Sequence, residues 1–499
     1  MQALNPTVIQ FFHWYFPLEG NLWNHAAAEA DYLAGLGITD AWLPPAYKSA
    51  LGNVEPGYAV YDLYDLGEFN QKNTVRTKYG TRDEYVAAIE ALHKHQIRVL
   101  ADIVLNHKHG GDEPETITIK KVNPQNRVEC IGDTAEIQAA TRFTFPGRGG
   151  KYSNYTWDHQ SFTGLTDEQN NIGLIQHEYG SAGWEPLLEN ELGNFDYLMG
   201  NDIEYRNPCV REELKKWGVW YVETTGIDGF RLDALKHLNA GFYPEWLDHL
   251  AACFHKSFNC IGEYWQSDVT VLTRYIAVTD RRIRLFDVPL HHNFQEASNG
   301  KGEFDLRQLF DNTLTAADPA MAVTFVDNHD TQPLQGLESP VAQWFKPLAY
   351  ALILLREAGL PCVFYAGLYG ARYTDNKDGK EITVELNRVD GLEQLIRVRA
   401  LLAVGTQRDF FDDAHLVGWT REGDESLPGS GCAVVITNAG AGEKRMDMGR
   451  PNAGKKFTAV CGNRDEVIRA DENGWAVFPV NQENISVWVC DSRQHDIQY

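Results

Sequence analysis

Short apolar runs alternate with longer amphipathic segments over residues 1–400 of the chain. The runs are rich in β-branched and aromatic residues, whereas segments such as Glu84–His95 and Arg211–Thr224 carry apolar residues at helical spacing. This alternation is typical of βαβ units, and eight of them predict an α/β fold, a closed (β/α)8 barrel. The predicted strands are Val8–Tyr15, Asp40–Leu43, Arg98–Asn106, Asp228–Ala234, Asn259–Glu263, Arg284–Leu290, Ala322–Asp330 and Cys362–Ala366.

The alternation is interrupted after the third predicted strand. Residues 106–208 contain no convincing helix and are rich in glycine, asparagine, threonine and aromatic residues. A structureless loop of that length is uncommon in a compact domain, so the segment is predicted to be an inserted β-rich domain. Beyond about Leu401 short strands and turns predict a C-terminal antiparallel β-sandwich. The predicted division is a barrel over 1–105 and 209–400, an inserted domain over 106–208, and a sandwich domain over 401–499.

Charge restricts the class of partner. The 45 basic and 69 acidic side chains give a net charge of −24, which repels nucleic acid and anionic membrane surfaces. No segment approaches the roughly 20 consecutive apolar residues of a membrane span. The N-terminal residues MQALNPTVIQFFHWYF lack the pattern of a secretory signal, although an already removed leader would leave no trace. We therefore expect a cytoplasmic monomer that binds neither nucleic acid nor membrane.

The eight cysteines are scattered along the chain and form no CxxC pair. Zinc and redox motifs are therefore absent from the sequence. Buried free thiols in a reducing cytoplasm are the expectation that follows.

Polar residues are concentrated where four of the predicted strands end. Reactive groups of a (β/α)8 barrel lie at the C-terminal ends of its strands. A single Asp at a strand end is usually a cap or turn residue, and an Arg near it usually forms a structural ion pair. The coincidence of four such segments at one end of a barrel favours a catalytic site. The segments are DIVLNH, GFRLDALKH, IGEYW and TFVDNHDTQ.

Three of these segments supply the candidate catalytic carboxyl groups, and two of those groups have contrasting surroundings. Arg231 and Asp233 are two residues apart and point the same way, so the guanidinium keeps the acid ionised, as a nucleophile requires. Glu263 follows an apolar run, which favours the neutral form that a proton donor needs. Asp330 lies in the fourth segment. Paired carboxyl groups specify glycoside hydrolysis, and their separation, which decides between retention and inversion, is left open by the sequence.

Taken together, DIVLNH, GFRLDALKH, GEYW and FVDNHD resemble the four signature segments of the α-amylase family, in order and in spacing. The segments GNFDYLMGNDIEY, VYDLYDLGEFNQK and GWTREGD are similar to those of liquefying bacterial α-amylases. The resemblance covers nearly the whole chain. It implies an endo-acting enzyme that hydrolyses α-1,4-glucosidic bonds in starch, glycogen or malto-oligosaccharides with net retention of configuration.

The resemblance also implies roles for individual residues. Asp233 would be the nucleophile, Glu263 the general acid and later the base, and Asp330 would bind the distorted sugar and stabilise the transition state. Arg231 would orient Asp233. The substrate contacts implied by the resemblance are Tyr58, His107, Arg231, Lys236, His237, Trp265 and His329.

A calcium ion is the cofactor that the resemblance implies. Asn106, Asp196, Asp202 and the backbone carbonyl of His237 match the family's ligands, and an all-oxygen set suits calcium. Secreted relatives often carry further acids around a sodium and a second calcium, where this chain aligns Thr163 and Arg206. We therefore expect one calcium ion.

Two other functions fit parts of the same pattern. A transglycosylase, or an enzyme that releases malto-oligosaccharides of set length, would use the same carboxyl groups. A non-catalytic glucan-binding protein would be expected to have lost at least one of them, and all three are present. For the C-terminal domain, starch binding is open beside the simpler role of covering the barrel.

Overall fold

A computed structural model describes residues 3–17, 19 and 21–498 of the chain. Eight parallel strands close into a barrel in which each strand pairs with its neighbours along the sequence and the first pairs with the eighth. The predicted fold class is confirmed. The barrel strands are Val8–Gln10, Asp40–Leu43, Arg98–Ile103, Gly229–Leu232, Asn259–Gly262, Arg284–Phe286, Ala322–Phe325 and Leu360–Phe364.

All eight predicted strands are present, but most of them end earlier than expected. The first, predicted to reach Tyr15, ends at Gln10 although Phe11 and Phe12 after it are fully buried. Apolar runs report burial, whereas a strand ends where its ladder of hydrogen bonds ends. The loops at the C-terminal mouth of the barrel remain packed, so their apolar residues extended the prediction past Gln10.

Helices cover the outside of the barrel. The predicted helices Glu84–His95 and Arg211–Thr224 correspond to Arg82–Lys94, which begins with a capping box at Thr81, and to Pro208–Thr225. No helix in the described part of the chain is both long and apolar enough to cross a membrane. The α-helices are Leu22–Leu36, Arg82–Lys94, Pro208–Thr225, Phe242–Phe254, Val269–Val278, Val288–Gly300, Leu314–Ala317, Lys346–Leu355, Tyr365–Tyr369, Leu392–Leu401 and Gln494–Gln498.

The segment after the third barrel strand forms an antiparallel six-stranded sheet, which confirms its β-rich character. Its first strand, His107–Lys108, follows the barrel strand almost directly and pairs with Asn201–Ile203. This pairing brings Asn106, at the barrel mouth, next to Asp202 near the end of the insertion. In sheet order the strands are His107–Lys108, Asn201–Ile203, Phe162–Thr166, Ile172–Ile175, Glu113–Asn123 and Asn126–Arg142.

The C-terminal region consists of two antiparallel sheets, as predicted. Met446, Phe478 and Trp488 are among the buried side chains packed between them. The larger sheet has six strands in the order Gln407–Phe410, Leu416–Arg421, Cys432–Thr437, Ile485–Cys490, Lys456–Cys461 and Val467–Arg469. The smaller sheet pairs Gly442–Asp447 with Trp475–Val480. Two further strand pairs lie elsewhere in the chain, Ala371–Lys377 with Lys380–Leu386 and Lys48–Ser49 with Val60–Asp62.

All eight cysteines are free, as expected. The expectation that they are buried is wrong for Cys130, Cys209 and Cys253, which are exposed. Cys209 lies in the first turn of its helix and Cys253 near the end of another, on faces that point away from the barrel core.

Candidate active site

Arg231 lies at the centre of the polar cluster at the C-terminal mouth of the barrel. Its Nη1 is 2.6 Å from Asp233 Oδ1 and 3.0 Å from Asp102 Oδ1, and its Nη2 contacts Glu263 Oε2. The strand register places Arg231 opposite Asp102 on one side and Ile261 on the other, two residues before Glu263. One guanidinium group therefore joins carboxylates from three adjacent strands.

Exposure separates the carboxylates of this cluster into two layers. The side chains of Arg231 and Asp102 are fully buried. Those of Asp233, Glu263 and Asp330 are 11%, 13% and 22% exposed. The three carboxylates that the sequence analysis selected thus face the opening of the barrel, and the ion pair beneath them is sealed from water.

The surroundings favour protons on several of these acids. Burial raises the pKa of Glu263 well above its usual value, Arg231 opposes the shift, and the charges of Asp233 and Asp330 add to it. Burial likewise raises the pKa of Asp330 and of Asp102, again against the pull of Arg231. A carboxyl group that keeps its proton near neutral pH is suited to proton donation.

A flat wall of rings stands beside the carboxylates. Tyr58 stacks on Trp14 at 5.5 Å and on His329 at 5.2 Å between ring centroids, with interplanar angles of 12° and 13°. The Tyr58 hydroxyl donates to Asp102 Oδ2 at 2.8 Å, which fixes the ring over the charged cluster. Trp14 was not selected from the sequence, because its run FFHWYF was interpreted as the end of a buried strand.

The predicted histidines of the mouth are buried and neutral. The Nε2 of His107 lies 2.9 Å from the Tyr58 carbonyl, and its Nδ1 has no partner among the described residues. His329 Nε2 is 3.2 Å from Asp330 Oδ2, but neither ring nitrogen makes a well-directed hydrogen bond within that part of the chain. Burial lowers the pKa of His107 to about 4, and burial together with the charge of Arg231 lowers that of His329 well below its usual value. Unpaired ring nitrogens are free to meet the hydroxyl groups of a ligand.

Lys236, His237 and Trp265 come together after the fourth and fifth strands. Lys236 Nζ pairs with Glu191 and lies 3.4 Å from the Trp265 carbonyl. His237 Nδ1 is 2.7 Å from the Phe195 carbonyl, which ties the barrel to the loop that carries the next residue, Asp196. The half-buried Trp265 ring offers a partly open face.

The predicted calcium ligands lie in one buried region between the barrel and the insertion. Asn106 Nδ2 donates to Asp202 Oδ1 at 3.1 Å, while Asn106 Oδ1 and Asp202 Oδ2 are buried without a partner among the residues described. Asp196 accepts from the Glu185 amide at 2.9 Å. Within the described ranges, no three His, Cys, Asp or Glu side chains converge as a metal-binding group. An ion here would therefore need the amide oxygen of Asn106 and a backbone carbonyl as well.

Two acids that the sequence analysis did not select, Glu185 and Glu204, belong to this region. Both are buried, as are Asp196 and Asp202. Burial, followed by the neighbouring negative charges, raises the pKa of Asp202 and of Glu185 far above the ordinary value. Arg206 donates to both Glu204 oxygens, at 2.7 and 2.6 Å, and Thr163 Oγ1 donates to Glu204 at 3.2 Å. The positive charge of Arg206 acts on Glu185, Asp196 and Glu204, and that of Arg127 acts on Asp202, so two arginines face four buried carboxyl groups.

Cleavage of a glycosidic bond requires one carboxyl group that keeps its proton and a second that attacks the sugar or activates water. The barrel mouth offers such a pair, and it defines the class of protein as a glycoside hydrolase. A model of the alpha amylase catalytic domain matches residues 27–390. The chain belongs to the α-amylase family.

Curated relatives match almost the whole chain. A cytoplasmic alpha-amylase of Escherichia coli is 46% identical over 98% of this chain and 99% of the relative. An alpha-amylase of Geobacillus stearothermophilus is 46% identical over 97% and 87%, respectively. A glucan 1,4-alpha-maltohexaosidase of a Bacillus species is 41% identical over 97% and 92%.

Solved structures support the fold. An α-amylase of Geobacillus thermoleovorans, crystallised with acarbose, superposes with a TM-score of 0.63 at 19% sequence identity, covering 97% of each chain. At that identity the likeness bears on the barrel and its added β-rich regions rather than on details of activity.

Proposed function

We propose that this chain is an endo-acting α-amylase that hydrolyses α-1,4-glucosidic bonds in starch, glycogen or malto-oligosaccharides with net retention. The contact of one buried guanidinium with both Asp233 and Glu263 is the observation that carries the proposal. It holds a potential nucleophile and a potential proton donor side by side at an open mouth. The full-length similarity to relatives named alpha-amylase supports the substrate class.

In the proposed reaction, Asp233 attacks the anomeric carbon and the bond to the departing glucan oxygen breaks. Glu263 gives its proton to that oxygen, so the leaving chain departs as a neutral alcohol. Glu263 then takes a proton from water, whose oxygen displaces Asp233 and releases the sugar. Arg231 holds Asp233 in position, because its Nη1 donates to the carboxylate. Two inversions give retention.

The remaining residues are proposed to hold the sugar. Asp330 and His329 would bind hydroxyl groups of the ring at the point of cleavage, and Tyr58 would stack on that ring. His107 would contact the same sugar through its unpaired Nδ1. Lys236, His237 and Trp265 would contact sugars on the leaving-group side.

We further propose that Asn106, Asp196, Asp202 and the His237 carbonyl bind one calcium ion. The buried oxygens without partners and the surplus of buried carboxyl groups fit a hard divalent cation. Such an ion, when bound, supplies positive charge that links the barrel to the insertion. Arg206 pairs with both oxygens of Glu204, so among the described residues this acid is already engaged and is not assigned to a second ion.

Location, oligomeric state and domain bounds are also proposals. A cytoplasmic enzyme agrees with the name of one 46% identical relative, a cytoplasmic alpha-amylase, and with eight free thiols. Cell fractionation would test the location, and light scattering would test for a monomer. The proposed division is a barrel over 1–105 and 209–400, an insertion over 106–208 and a sandwich over 401–499.

Product analysis tests the proposed function. We expect a rapid fall in the viscosity of soluble starch and, by NMR at early times, products whose new reducing ends have the α configuration. Asp233→Asn should lower turnover about 10⁴-fold or more with an unchanged circular dichroism spectrum. Products of β configuration, or normal turnover by the variant, would refute the mechanism.

A second candidate function is release of malto-oligosaccharides of set length. The 41% identical relative named a maltohexaosidase favours it. Chromatography of the same digest separates the two, because an endo-acting enzyme gives a broad early distribution whereas a length-selective enzyme gives one dominant oligosaccharide. Longer products from short malto-oligosaccharides would instead indicate transglycosylation.

A further inference from the structure

A large cavity lies at the opposite end of the barrel from the carboxylates. It measures about 1030 Å³ and is formed where the strands begin, by residues such as Asp40, Arg98, Asn259, Arg284 and Leu360. The first residue of the C-terminal sheet, Gln407, borders it as well. The cavity therefore lies between the base of the barrel and the start of the C-terminal region, and the proposed hydrolysis uses none of its residues.

Basic side chains outnumber acidic ones in this base cavity by four to three, in contrast to the acidic chain as a whole. Its cationic lining residues are Arg98, Lys256, Arg284 and Arg399, and its acidic ones are Asp40, Asp228 and Glu357. Asp40 is occupied by Arg98, at 2.7 Å, and Asp228 by His93 and the Val99 amide, both at 2.8 Å. Glu357 is exposed.

Three of the four cations have no acid partner among the described residues, where no carboxylate lies within 4.0 Å of Lys256, Arg284 or Arg399. Lys256 Nζ donates to the Ile227 carbonyl at 3.2 Å. Arg284 donates to the Ala320 carbonyl at 3.2 Å and to Asn259 Oδ1 at 3.0 Å. Neutral oxygens satisfy hydrogen bonds but leave the positive charges uncompensated.

Arg399 is the most unusual of these residues, because it is only 4% exposed. Its Nε donates to the Pro6 carbonyl at 3.0 Å and its Nη1 to the Leu354 carbonyl at 2.8 Å. These two bonds give the side chain a structural role in tying its helix to the first strand. They leave Nη2 without an acceptor in the described part of the chain, and Arg399 is one of the residues that line the cavity.

The charged group near Arg399 on the protein side is another cation, Arg421, rather than an acid. Burial lowers the pKa of Arg399, and the nearby positive charge of Arg421 lowers it further. Arg421 is itself buried and donates to the Gly405 carbonyl at 3.0 Å. A buried cation without a counter-ion is costly, and an anion in the cavity would relieve that cost.

We propose that the base cavity binds a small organic phosphate, a phosphate monoester, through Arg284, Lys256 and the free Nη2 of Arg399. Guanidinium groups match phosphate oxygens in geometry and charge. A volume of about 1030 Å³ exceeds what a bare oxyanion fills and leaves room for an attached sugar-sized group. The net charge of −24 disfavours long polyanions but acts weakly on a small ligand held by local cations.

Isothermal titration calorimetry on the whole protein tests this assignment. The probes are glucose 6-phosphate, inorganic phosphate and, as a neutral control, glucose, all at one ionic strength set with NaCl. The test variant is Lys256→Gln/Arg284→Gln, which removes two exposed or half-buried charges. The matched control is Lys380→Gln/Arg469→Gln, which makes the same charge change at two exposed positions far along the chain. Melting curves verify that both variants fold.

We expect saturable binding of glucose 6-phosphate that weakens tenfold or more in the test variant, about 1.4 kcal/mol, and stays within twofold in the control. Because both variants keep the proposed calcium site, any heat from phosphate acting on calcium would be equal in the two. Equal affinity in wild type and test variant would overturn the proposal, as would an absence of binding at about 10 mM ligand. Equal affinity for inorganic phosphate would overturn the assignment of an organic ligand.

Discussion

Arg231 contacts both carboxyl groups that we assign to bond cleavage, so a change in either one alters the field at the other. The guanidinium has no water around it and its Nη atoms are already engaged, with Asp102 as the third partner. Burial raises the pKa of Glu263, whereas Asp233 accepts a hydrogen bond from the same guanidinium. Variants of the two acids should consequently fail in different ways.

Substitution of Glu263 should depend on the leaving group. Glu263→Gln removes the proton donor but keeps the shape, so starch hydrolysis should fall by about 10²–10⁴-fold. An α-maltosyl fluoride needs no protonation to leave, and its first step should be nearly unaffected in single-turnover measurements. Asp233→Asn, the matched control, should lose activity on both substrates. An equal loss on both substrates for Glu263→Gln would count against proton donation.

The acidity of Glu263 sets a second expectation, for the pH profile. Burial raises its pKa, so the protonated form persists well above the usual carboxyl range and is lost as pH rises through the raised value. The basic limb of kcat/KM on starch should therefore lie well above pH 4.5. With the fluoride substrate that limb should be absent from the first step. A limb at the ordinary Glu value would contradict the assignment.

At this scale the sequence identified residues that lie in repeated strand-end motifs and missed those outside them. Asp233, Glu263 and Asp330 each follow an apolar strand, so period and position selected them. Glu185 and Glu204 lie in an irregular loop region whose packing no local pattern encodes. Trp14 was not selected because an aromatic residue within a predicted strand more often belongs to the core than to a binding site.

Among the elements, the short strand His107–Lys108 carries the most consequence. It pairs with Asn201–Ile203 and thereby brings the end of a barrel strand beside acids about a hundred residues later in the chain. Close approach of buried acids is unfavourable without a cation. The pairing of these two strands and binding of the proposed calcium should therefore stabilise each other.

Removal of calcium tests this coupling. A chelator should lower the Tm, and added calcium should restore it, because an ion at 100 times its Kd contributes about 2.7 kcal/mol. Asp202→Asn should have a Tm that responds to neither addition, while Asp167→Asn, at a loop carboxylate elsewhere in the same insertion, should respond as wild type does. A melting curve of the native protein that is indifferent to chelation would remove the calcium site.

Most strand starts agree with the prediction whereas most strand ends do not, and the difference has a physical reason. The first residues Val8, Asp40, Arg98, Asn259, Arg284 and Ala322 agree with the prediction. Turn residues at the base of the barrel mark these points. At the opposite end, chain segments leave the ladder but stay buried, as Val104 and Leu105 do, so hydrophobicity carries no sign of the boundary.

In the whole molecule, one arginine joins the barrel to the C-terminal sheet. Arg356 donates from Nη1 and Nη2 to the two oxygens of Asp409, at 2.8 and 2.9 Å. Its guanidinium also lies 4.7 Å from the ring centre of Phe310 and 5.1 Å from that of Phe411. The barrel and the C-terminal sheet are thus linked by a pair of parallel hydrogen bonds and by contacts of the guanidinium with two aromatic rings.

Arg356→Ala should weaken that link by about 1–3 kcal/mol, and should lower the Tm by a few degrees without changing kcat. Arg356→Lys keeps the charge but cannot form the two parallel hydrogen bonds, so its Tm should lie between that of wild type and that of Arg356→Ala. Scanning calorimetry measures the effect. A Tm equal to that of wild type in the alanine variant would show that other contacts hold the C-terminal sheet, such as the Asn438 amide that donates to the Lys301 and Phe304 carbonyls.

The sequence could not indicate the base cavity, since its lining comes from the starts of six or more separate strands and from Arg399. Barrel closure brings these residues together, and no local run of basic residues announces them. The catalytic mouth was easier to predict because family motifs report it directly.

The charge balance at the barrel mouth has one further implication. A single guanidinium faces Asp102, Asp233, Glu263 and Asp330, so the pocket is short of positive charge even with protons on some of these acids. Intact glucan is neutral and cannot supply it, whereas a sugar ring that gains positive character during cleavage can. Inhibitors that carry a protonated ring nitrogen should therefore bind this pocket more tightly than uncharged sugars of the same size.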